Sequence, residues 1–220
     1  MLKLENITAG YGKKQVLTDV SFYVEIGDIV LLSGNNGSGK STILKTIYGL
    51  LKPWNKDGKI IYDDENITDW HPSEMIRRGI VYMPQKKNVF DDFTVEENLL
   101  TSAATYPKQE ALERIEEVFA TIPILKTMRK RTPFYLSGGE KQLLAFGNVL
   151  LHLPKLMLLD EPFACVDVRN SEILNNCIQD LHKKNVTFVI VEHKRQLMDD
   201  MVTREIELEL GMIKIFENTL

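Results

Sequence analysis

The segment Gly34–Thr42, which reads GNNGSGKST, constrains this chain more than any other part of its sequence. It fits the pattern G-x-x-x-x-G-K-[ST] and follows the apolar run Ile29–Ser33. Apolar residues recur at helical spacing after it, so the context is strand, loop and helix. Such a loop turns its main-chain N–H groups toward phosphates, and the helix N-terminus adds partial positive charge. The alternative is a glycine-rich turn that only caps a helix.

The sequence therefore predicts a phosphate-binding loop in which two side chains have separate tasks. Lys40 is expected to reach the β and γ phosphates of a nucleotide, and the Ser41 hydroxyl is expected to bind Mg²⁺. The residues expected to surround the phosphates are Gly34, Asn35, Asn36, Gly37, Ser38, Gly39, Lys40, Ser41 and Thr42.

A pair of carboxylates follows an apolar run in the second half of the chain. The segment 156–162 reads LMLLDEP, and ligands bind at the carboxyl ends of strands in α/β sheets. We expect Asp160 to hold Mg²⁺ opposite Ser41 and Glu161 to polarise a water molecule for attack on the γ phosphate. The alternative is an acidic strand-to-loop transition that caps the next helix.

The rest of the chain favours a layered α/β fold with a helical insertion. Helical periodicity runs from Val95 to about Arg131, and we expect helices at Glu140–Leu151 and Ser171–Lys184. The expected strands are Leu2–Ile7, Val20–Glu25, Ile29–Ser33, Lys59–Tyr62, Ile80–Met83, Leu156–Leu159, Val186–Val191 and a closing hairpin of Arg204–Glu209 and Met212–Glu217.

Composition excludes several classes of protein. The 220 residues carry 27 Lys and Arg against 31 Asp and Glu, so the mildly acidic chain is a poor candidate for a general nucleic-acid coat. Cys165 and Cys177 form no CxxC pair and are expected to be reduced thiols. Since no apolar run approaches the roughly 18 residues of a membrane span, we expect a cytosolic chain, or one attached to a membrane only through a partner.

A third motif, LSGGE at 136–140, places a helix-capping serine before two glycines and a predicted helix. Alone it is typical of an ordinary N-cap. Combined with GNNGSGKST at 34–42 and LMLLDEP at 156–162, in that order and spacing, it resembles the ATP-binding cassette (ABC) ATPases along essentially the whole chain. In these terms the motifs look like the Walker A loop, the signature motif and Walker B.

The resemblance implies a P-loop NTPase, RecA-like core with an N-terminal antiparallel β part and an inserted α-helical subdomain. Residues 1–84 and 141–220 would form the ATP-binding core, and about 85–140 the helical subdomain. It also implies that two cassettes pair head to tail, so that each ATP lies between one Walker A loop and the partner's signature. The signature residues expected to act in trans are Leu136, Ser137, Gly138, Gly139 and Glu140.

The resemblance assigns further roles one residue at a time. Tyr11 would stack on adenine, and Gln85 would sense Mg²⁺ and the attacking water. Asp167 matches the D-loop aspartate. His193 matches the switch histidine, which contacts the γ phosphate. His71, His152 and His182 have no such support and are expected to be surface or hydrogen-bonded residues.

Several features bear on the branch of the family and on partners. Asn148 stands where the family usually has arginine, and Glu140 where glutamine is more usual. The stretch 77–100 and the run LSGGEKQLLAFG are most similar to the ATPases of branched-chain amino-acid importers. The lipopolysaccharide-transport ATPase is second, through IIYDDENIT, RRGI and LLDEPFACVD. Val89, Phe90 and Phe93 are candidates for gripping a membrane partner, with packing inside the helical insertion as the equal alternative.

The resemblance implies an ATP-hydrolysing subunit that uses Mg²⁺, dimerises with a second ABC ATPase subunit and powers a separate transmembrane permease. The expected place is the cytoplasmic face of the cell membrane, without nucleic acid. One rival is a soluble ABC ATPase that acts on the ribosome or DNA. Another is a regulatory cassette that binds ATP without hydrolysing it, against which the intact Glu161 and His193 argue.

Overall fold

The computed structural model describes residues 1–86, 88–193, 195–198 and 200–214. Its strands lie in two sheets. The first is antiparallel with the order β2-β1-β4-β5, made of Leu2–Tyr11 (β1), Lys14–Val24 (β2), Lys59–Tyr62 (β4) and Glu65–Asn66 (β5).

The second sheet has the order β10-β9-β3-β8-β7-β6 and is parallel except for its edge strand β10. Its strands are Ile29–Ser33 (β3), Ile80–Met83 (β6), Leu156–Asp160 (β7), Thr187–Val191 (β8), Arg204–Glu209 (β9) and Met212–Lys214 (β10). All five residues of β7 and of β8 are buried, as expected of central parallel strands. The fold class predicted from the sequence is confirmed.

Alternate residues of the parallel strands enter two different hydrophobic clusters. Leu156 and Leu158 face a cluster shared with the antiparallel sheet and with α1 (Lys40–Ile47), whereas Met157 and Leu159 face the helices on the other side. The same alternation places Tyr82 on the α1 side of β6. Since side chains alternate along a strand, Asp160 continues the α1-facing row of Leu156 and Leu158.

The remaining helices are α2 to α7, and the chain also contains two short 3₁₀ turns among its described residues. They are Pro72–Arg77 (α2), Val95–Ser102 (α3), Lys108–Thr121 (α4), Pro123–Thr127 (α5), Gly138–Leu150 (α6) and Val168–His182 (α7), with the turns at Pro133–Tyr135 and Arg195–Leu197. None of the helices among the described residues is long and apolar enough to cross a membrane.

Several predicted boundaries are wrong, each for a local reason. The insertion is divided into three helices, because Pro107 precedes α4 and Pro123 begins α5. β1 reaches Tyr11 and β2 starts at Lys14, since the exposed residues of β2 hide its strand character in the sequence. The predicted last strand extends to Glu217, but residues 215–217 lie outside the described part.

Gly211 joins the two sheets beside the phosphate loop. Its N–H donates to the Ser38 carbonyl at 3.0 Å, and its carbonyl accepts from the Thr18 N–H at 2.9 Å. Its φ is 82°, and a Cβ there would stand 2.0 Å from the Val16 carbonyl oxygen. Glycine is therefore required both by the left-handed backbone and by the close approach of β2.

We expect Gly211→Ala to lower the free energy of unfolding by more than the roughly 1–3 kcal/mol of left-handed backbone strain, because it also adds a backbone clash. Gly12 is the matched control, since its φ is 58° and nothing lies within 4 Å of a Cβ built there. Chemical denaturation of both variants measures the difference. Equal losses in the two variants would show that β2 does not press on Gly211.

Candidate functional site

The phosphate loop lies at the carboxyl end of β3, where its glycines adopt conformations that other residues avoid. Gly34, Gly37 and Gly39 have φ angles of 131°, 80° and 110°. The Lys40 ammonium donates to the carbonyls of Gly34 at 2.7 Å and Asn35 at 3.0 Å. Burial lowers the pKa of Lys40, while the nearby Glu161 and Asp160 oppose that shift. The lysine is thus held inside the loop by groups that a phosphate oxygen could replace.

Asp160, at the end of β7, reaches the phosphate-loop helix as the sequence predicts. Its Oδ1 accepts from the Ser41 hydroxyl at 2.8 Å, and its Oδ2 accepts from the Tyr82 hydroxyl at 3.2 Å. Asp160 is only 3% exposed, and burial raises its pKa although both hydrogen bonds lower it. A buried carboxylate is therefore held beside the Ser41 hydroxyl, where the phosphate loop enters α1.

Glu161 adopts a left-handed φ of 51°. Its N–H donates to the Val191 carbonyl at 2.8 Å and so ties the residue to β8. The Gln85 amide donates to its Oε2 at 2.5 Å, and His193 Nε2 lies 3.4 Å from its Oε1. Three residues from three strand ends thus meet at one carboxylate.

Lys40, Glu161 and His193 border a cleft of about 290 Å³, whereas Gln85 and Asp160 are absent from its described lining. Tyr11 is 44% exposed at its rim, and its hydroxyl accepts from the Lys45 ammonium at 3.4 Å. The residues that line the cleft are Tyr11, Lys14, Val16, Asn36, Gly37, Gly39, Lys40, Ser41, Thr42, Glu161 and His193.

The LSGGE residues are absent from the described lining of that cleft. Ser137 caps α6, where its hydroxyl accepts from the Glu140 N–H at 3.2 Å and Glu140 Oε2 accepts from the Ser137 N–H at 2.7 Å. The glycines of the motif pack against the loop that ends in Asp167. A Cβ on Gly138 would lie 2.8 Å from the Cys165 carbonyl, and one on Gly139 would lie 2.9 Å from Asp167 Oδ2.

Asp167 itself caps α7. Its Oδ1 accepts from the Asn170 N–H at 3.1 Å and its Oδ2 from the Asn170 amide at 2.6 Å, and these bonds lower its pKa. The structure therefore divides the predicted site residues into two groups, one around the phosphate loop and one formed by residues 136–140 with Asp167.

Two residues near the site were not singled out from the sequence. Tyr82 reads as one more core residue of an apolar strand, yet it pairs in register with Leu158 and so reaches Asp160. Glu192, which is 6% exposed, accepts from the N–H groups of Phe163 at 3.2 Å and His193 at 2.9 Å. The available signals were a phenol in an aliphatic strand and an acid at the end of β8.

The other predicted features have structural explanations. His71 caps α2, His152 lies 2.9 Å from the Tyr106 hydroxyl, and His182 lies 2.7 Å from the Gly27 carbonyl. Cys165 and Cys177 are free thiols. Across the described residues, no group of three or more His, Cys, Asp or Glu side chains is arranged to hold a metal ion by itself.

Comparison with known proteins identifies the family of this chain. The family model for the ABC transporter matches residues 17–164. The ATP-binding protein BraG of high-affinity branched-chain amino acid transport in Pseudomonas aeruginosa is 35% identical over 213 residues, covering 97% of this chain and 91% of that protein. The ATP-binding protein LptB of lipopolysaccharide export in Haemophilus influenzae is 34% identical over 203 residues, covering 90% and 83%.

A solved dimeric ATP-binding cassette in a post-hydrolysis state, bound to ADP and Pi, superposes with a TM-score of 0.86 at 26% identity. That match covers 99% of this chain and 98% of the other. The chain therefore shares the fold of a solved ATP-binding cassette. The chain belongs to the ABC transporter family and is one of its ATPase subunits.

Proposed function

We propose that this chain hydrolyses Mg·ATP as one half of a sandwich dimer and drives a separate transmembrane permease. The observation that carries the proposal is the meeting of Gln85, Glu161 and His193 beside the phosphate loop, with residues 136–140 placed outside the same cleft. Each chain thus carries two groups of residues that do not meet within it. Two chains paired head to tail would bring the phosphate loop of each against the signature residues of the other and form two complete sites.

Nucleotide binding would begin at the phosphate loop. Phosphate oxygens would take the place of the two carbonyls that now accept from Lys40, and the loop N–H groups and helix dipole would add to the attraction. Tyr11, exposed at the cleft rim, would stack on the base. Residues 34–42 and Tyr11 are therefore the proposed nucleotide-binding residues.

The donors near Asp160 fit a magnesium ion. Mg²⁺ prefers oxygen ligands and uses one or two carboxylates together with substrate phosphates. The buried Asp160 carboxylate, the Ser41 hydroxyl and the Gln85 side-chain oxygen are the proposed donors, and Tyr82 would orient the carboxylate. When bound, the ion would neutralise charge on the β and γ phosphates.

Hydrolysis would depend on Glu161 as general base for the attacking water. The Gln85 amide and the His193 ring each approach one oxygen of that carboxylate, and together they would hold it and the water in line with the γ phosphate. His193 would contact the γ phosphate as well. In the complete dimer Ser137 and Gly139 of the partner would close the site, with Asp167 beside them.

The partners are a second cassette and a permease at the cytoplasmic face of the membrane. Phe90 and Phe93 are 55% and 43% exposed, with ring centroids 5.4 Å apart, and form the proposed contact with the permease. Because BraG is named for branched-chain amino acid transport, that cargo is proposed first and lipopolysaccharide or lipid second. Helices α3–α5 with the start of α6 form the proposed helical subdomain.

Affinity purification of the tagged chain from cross-linked native cells tests the transport proposal. Recovery of multi-span permease subunits is the expected result, and a second cassette protein beside them would indicate a heterodimer. Recovery of ribosomal proteins or DNA in their place would contradict the proposal.

Glu161→Gln should lower the ATP turnover number by about two orders of magnitude or more, because the amide cannot accept the proton of the attacking water. ATP binding should remain, since the phosphate loop is untouched. Release of phosphate and equilibrium binding of ATP measure the two effects. Near-normal turnover would remove Glu161 from its proposed role.

Tyr11→Ala should weaken ATP binding by about 1–3 kcal/mol, the range for base–aromatic stacking. Binding of tripolyphosphate, which has no base, should change little in the same variant. Titration calorimetry with both ligands makes the comparison, and an unchanged ATP affinity would show that Tyr11 does not stack.

Tyr82→Phe should weaken Mg²⁺ binding to the nucleotide-loaded protein by about tenfold or more, the loss found when a residue that orients a metal ligand is removed. Tyr48 is the matched control, because its ring centroid lies 5.5 Å from that of Tyr82 and its hydroxyl has no bond to Asp160. Calorimetric Mg²⁺ titration of Tyr82→Phe and Tyr48→Phe should separate them. Equal affinities in the two variants would contradict an orienting role for Tyr82.

A further inference from the structure

The loop between β6 and α3 is held by three amide side chains that are almost fully buried. We call the described residues 84–86 and 88–94 the linking loop. Its first part contains Gln85, which contacts Glu161, and it ends at the start of α3. Asn98 of α3 is 0% exposed, and Gln142 and Asn148 of α6 are 7% and 9% exposed.

Asn98 holds the end of the linking loop next to α3, and both polar atoms of its side chain have hydrogen-bond partners. Its Oδ1 accepts from the Phe90 N–H at 2.7 Å. Its Nδ2 lies 3.0 Å from each of the carbonyls of Phe90, Phe93 and Thr94. This amide is a structural anchor, since every polar atom it buries has a partner.

The end near the catalytic residues is held differently. The Asn88 amide donates to the Pro84 carbonyl and to Gln142 Oε1, both at 3.1 Å. Asn148 Nδ2 donates to the Asn88 carbonyl over a long 3.4 Å. Asn148 Oδ1 is buried and has no hydrogen-bond partner among the described residues.

A buried acceptor without a partner costs the protein about as much as its lost hydration, and an apolar residue of similar size would avoid that cost. The neighbours of Asn148 along α6 show that the helix accepts such residues, because Leu143, Leu144 and Phe146 are fully buried. The amide at this position therefore calls for an explanation beyond packing.

We propose that Asn148 is a positioning residue for ATP hydrolysis. Its Nδ2 holds the Asn88 carbonyl, close to Gln85 along the chain, and so keeps the linking loop where the Gln85 amide reaches Glu161. The buried Oδ1 without a partner is the cost of placing an amide at this position. The inference rests on the roles proposed above for Gln85 and Glu161.

Asn148→Leu tests this, because it removes the bond to the Asn88 carbonyl and also removes the unpartnered acceptor. The turnover number for ATP should fall about tenfold, the effect of losing one hydrogen bond that holds a reacting group, while KM for ATP stays unchanged. The midpoint of thermal unfolding should stay the same or rise. Asn148→Ala, which introduces no larger side chain, should show the same split between turnover number and KM.

Tyr62→Phe is the control for removal of a buried polar atom without a partner. Tyr62 is 4% exposed in β4, outside the site, and its hydroxyl also has no partner among the described residues. This variant should keep the wild-type turnover number. Hydrogen exchange in peptides of the linking loop should become faster in Asn148→Leu and stay unchanged in Tyr62→Phe.

A normal turnover number in both Asn148 variants would overturn the inference. So would a fall in turnover that is accompanied by a fall in the unfolding midpoint in both, since that is the result of a purely structural amide. Measuring Glu161→Gln in parallel separates a failure of the positioning role of Asn148 from a failure of the proposed role of Glu161. If it loses turnover while the Asn148 variants do not, only the positioning role fails, and if it keeps turnover, the proposed role of Glu161 fails first.

Discussion

The hydrogen bond between Ser41 and Asp160 joins the two parts of the chain on which the rest of the site depends. It links the first turn of α1 to the end of β7 across 119 positions of sequence. The bond can form only because β3 and β7 run parallel in one sheet with β8 between them. The carboxyl ends of all three strands then meet at one edge, where α/β sheets bind ligands.

The same edge of the sheet holds several groups that destabilise the folded protein by themselves. Asp160 is a buried carboxylate, Lys40 is a buried ammonium held by carbonyls, and Glu161 adopts a left-handed backbone. Backbone strain and buried charge of this kind persist where the surrounding structure over-determines them. Here β8 fixes Glu161 through Val191, and Tyr82 together with Ser41 satisfies Asp160. The fold thus holds a preorganised set of charged groups that would by themselves lower its stability.

Much of this arrangement could be predicted from sequence, because it depends on local patterns. The phosphate loop, the strand that ends in Asp160 and Glu161, and the capped LSGGE helix each carry their signal within about ten residues. Tyr82 and Asn148 could not be assigned in this way, since their roles depend on which strand or loop lies beside them. The breaks in the helical insertion were missed because helical periodicity continues on both sides of Pro107 and Pro123.

The central claim of this account is that the catalytic site is shared between two chains. Mixing two variants tests it directly: Lys40→Ala, which disables the phosphate loop, and Ser137→Arg, which blocks the signature helix. Each variant alone should lack ATP turnover. Their mixture should regain it, because a mixed dimer contains one site with both an intact Lys40 and an intact Ser137. Full turnover by Ser137→Arg alone, or a mixture as inactive as its parts, would contradict the account.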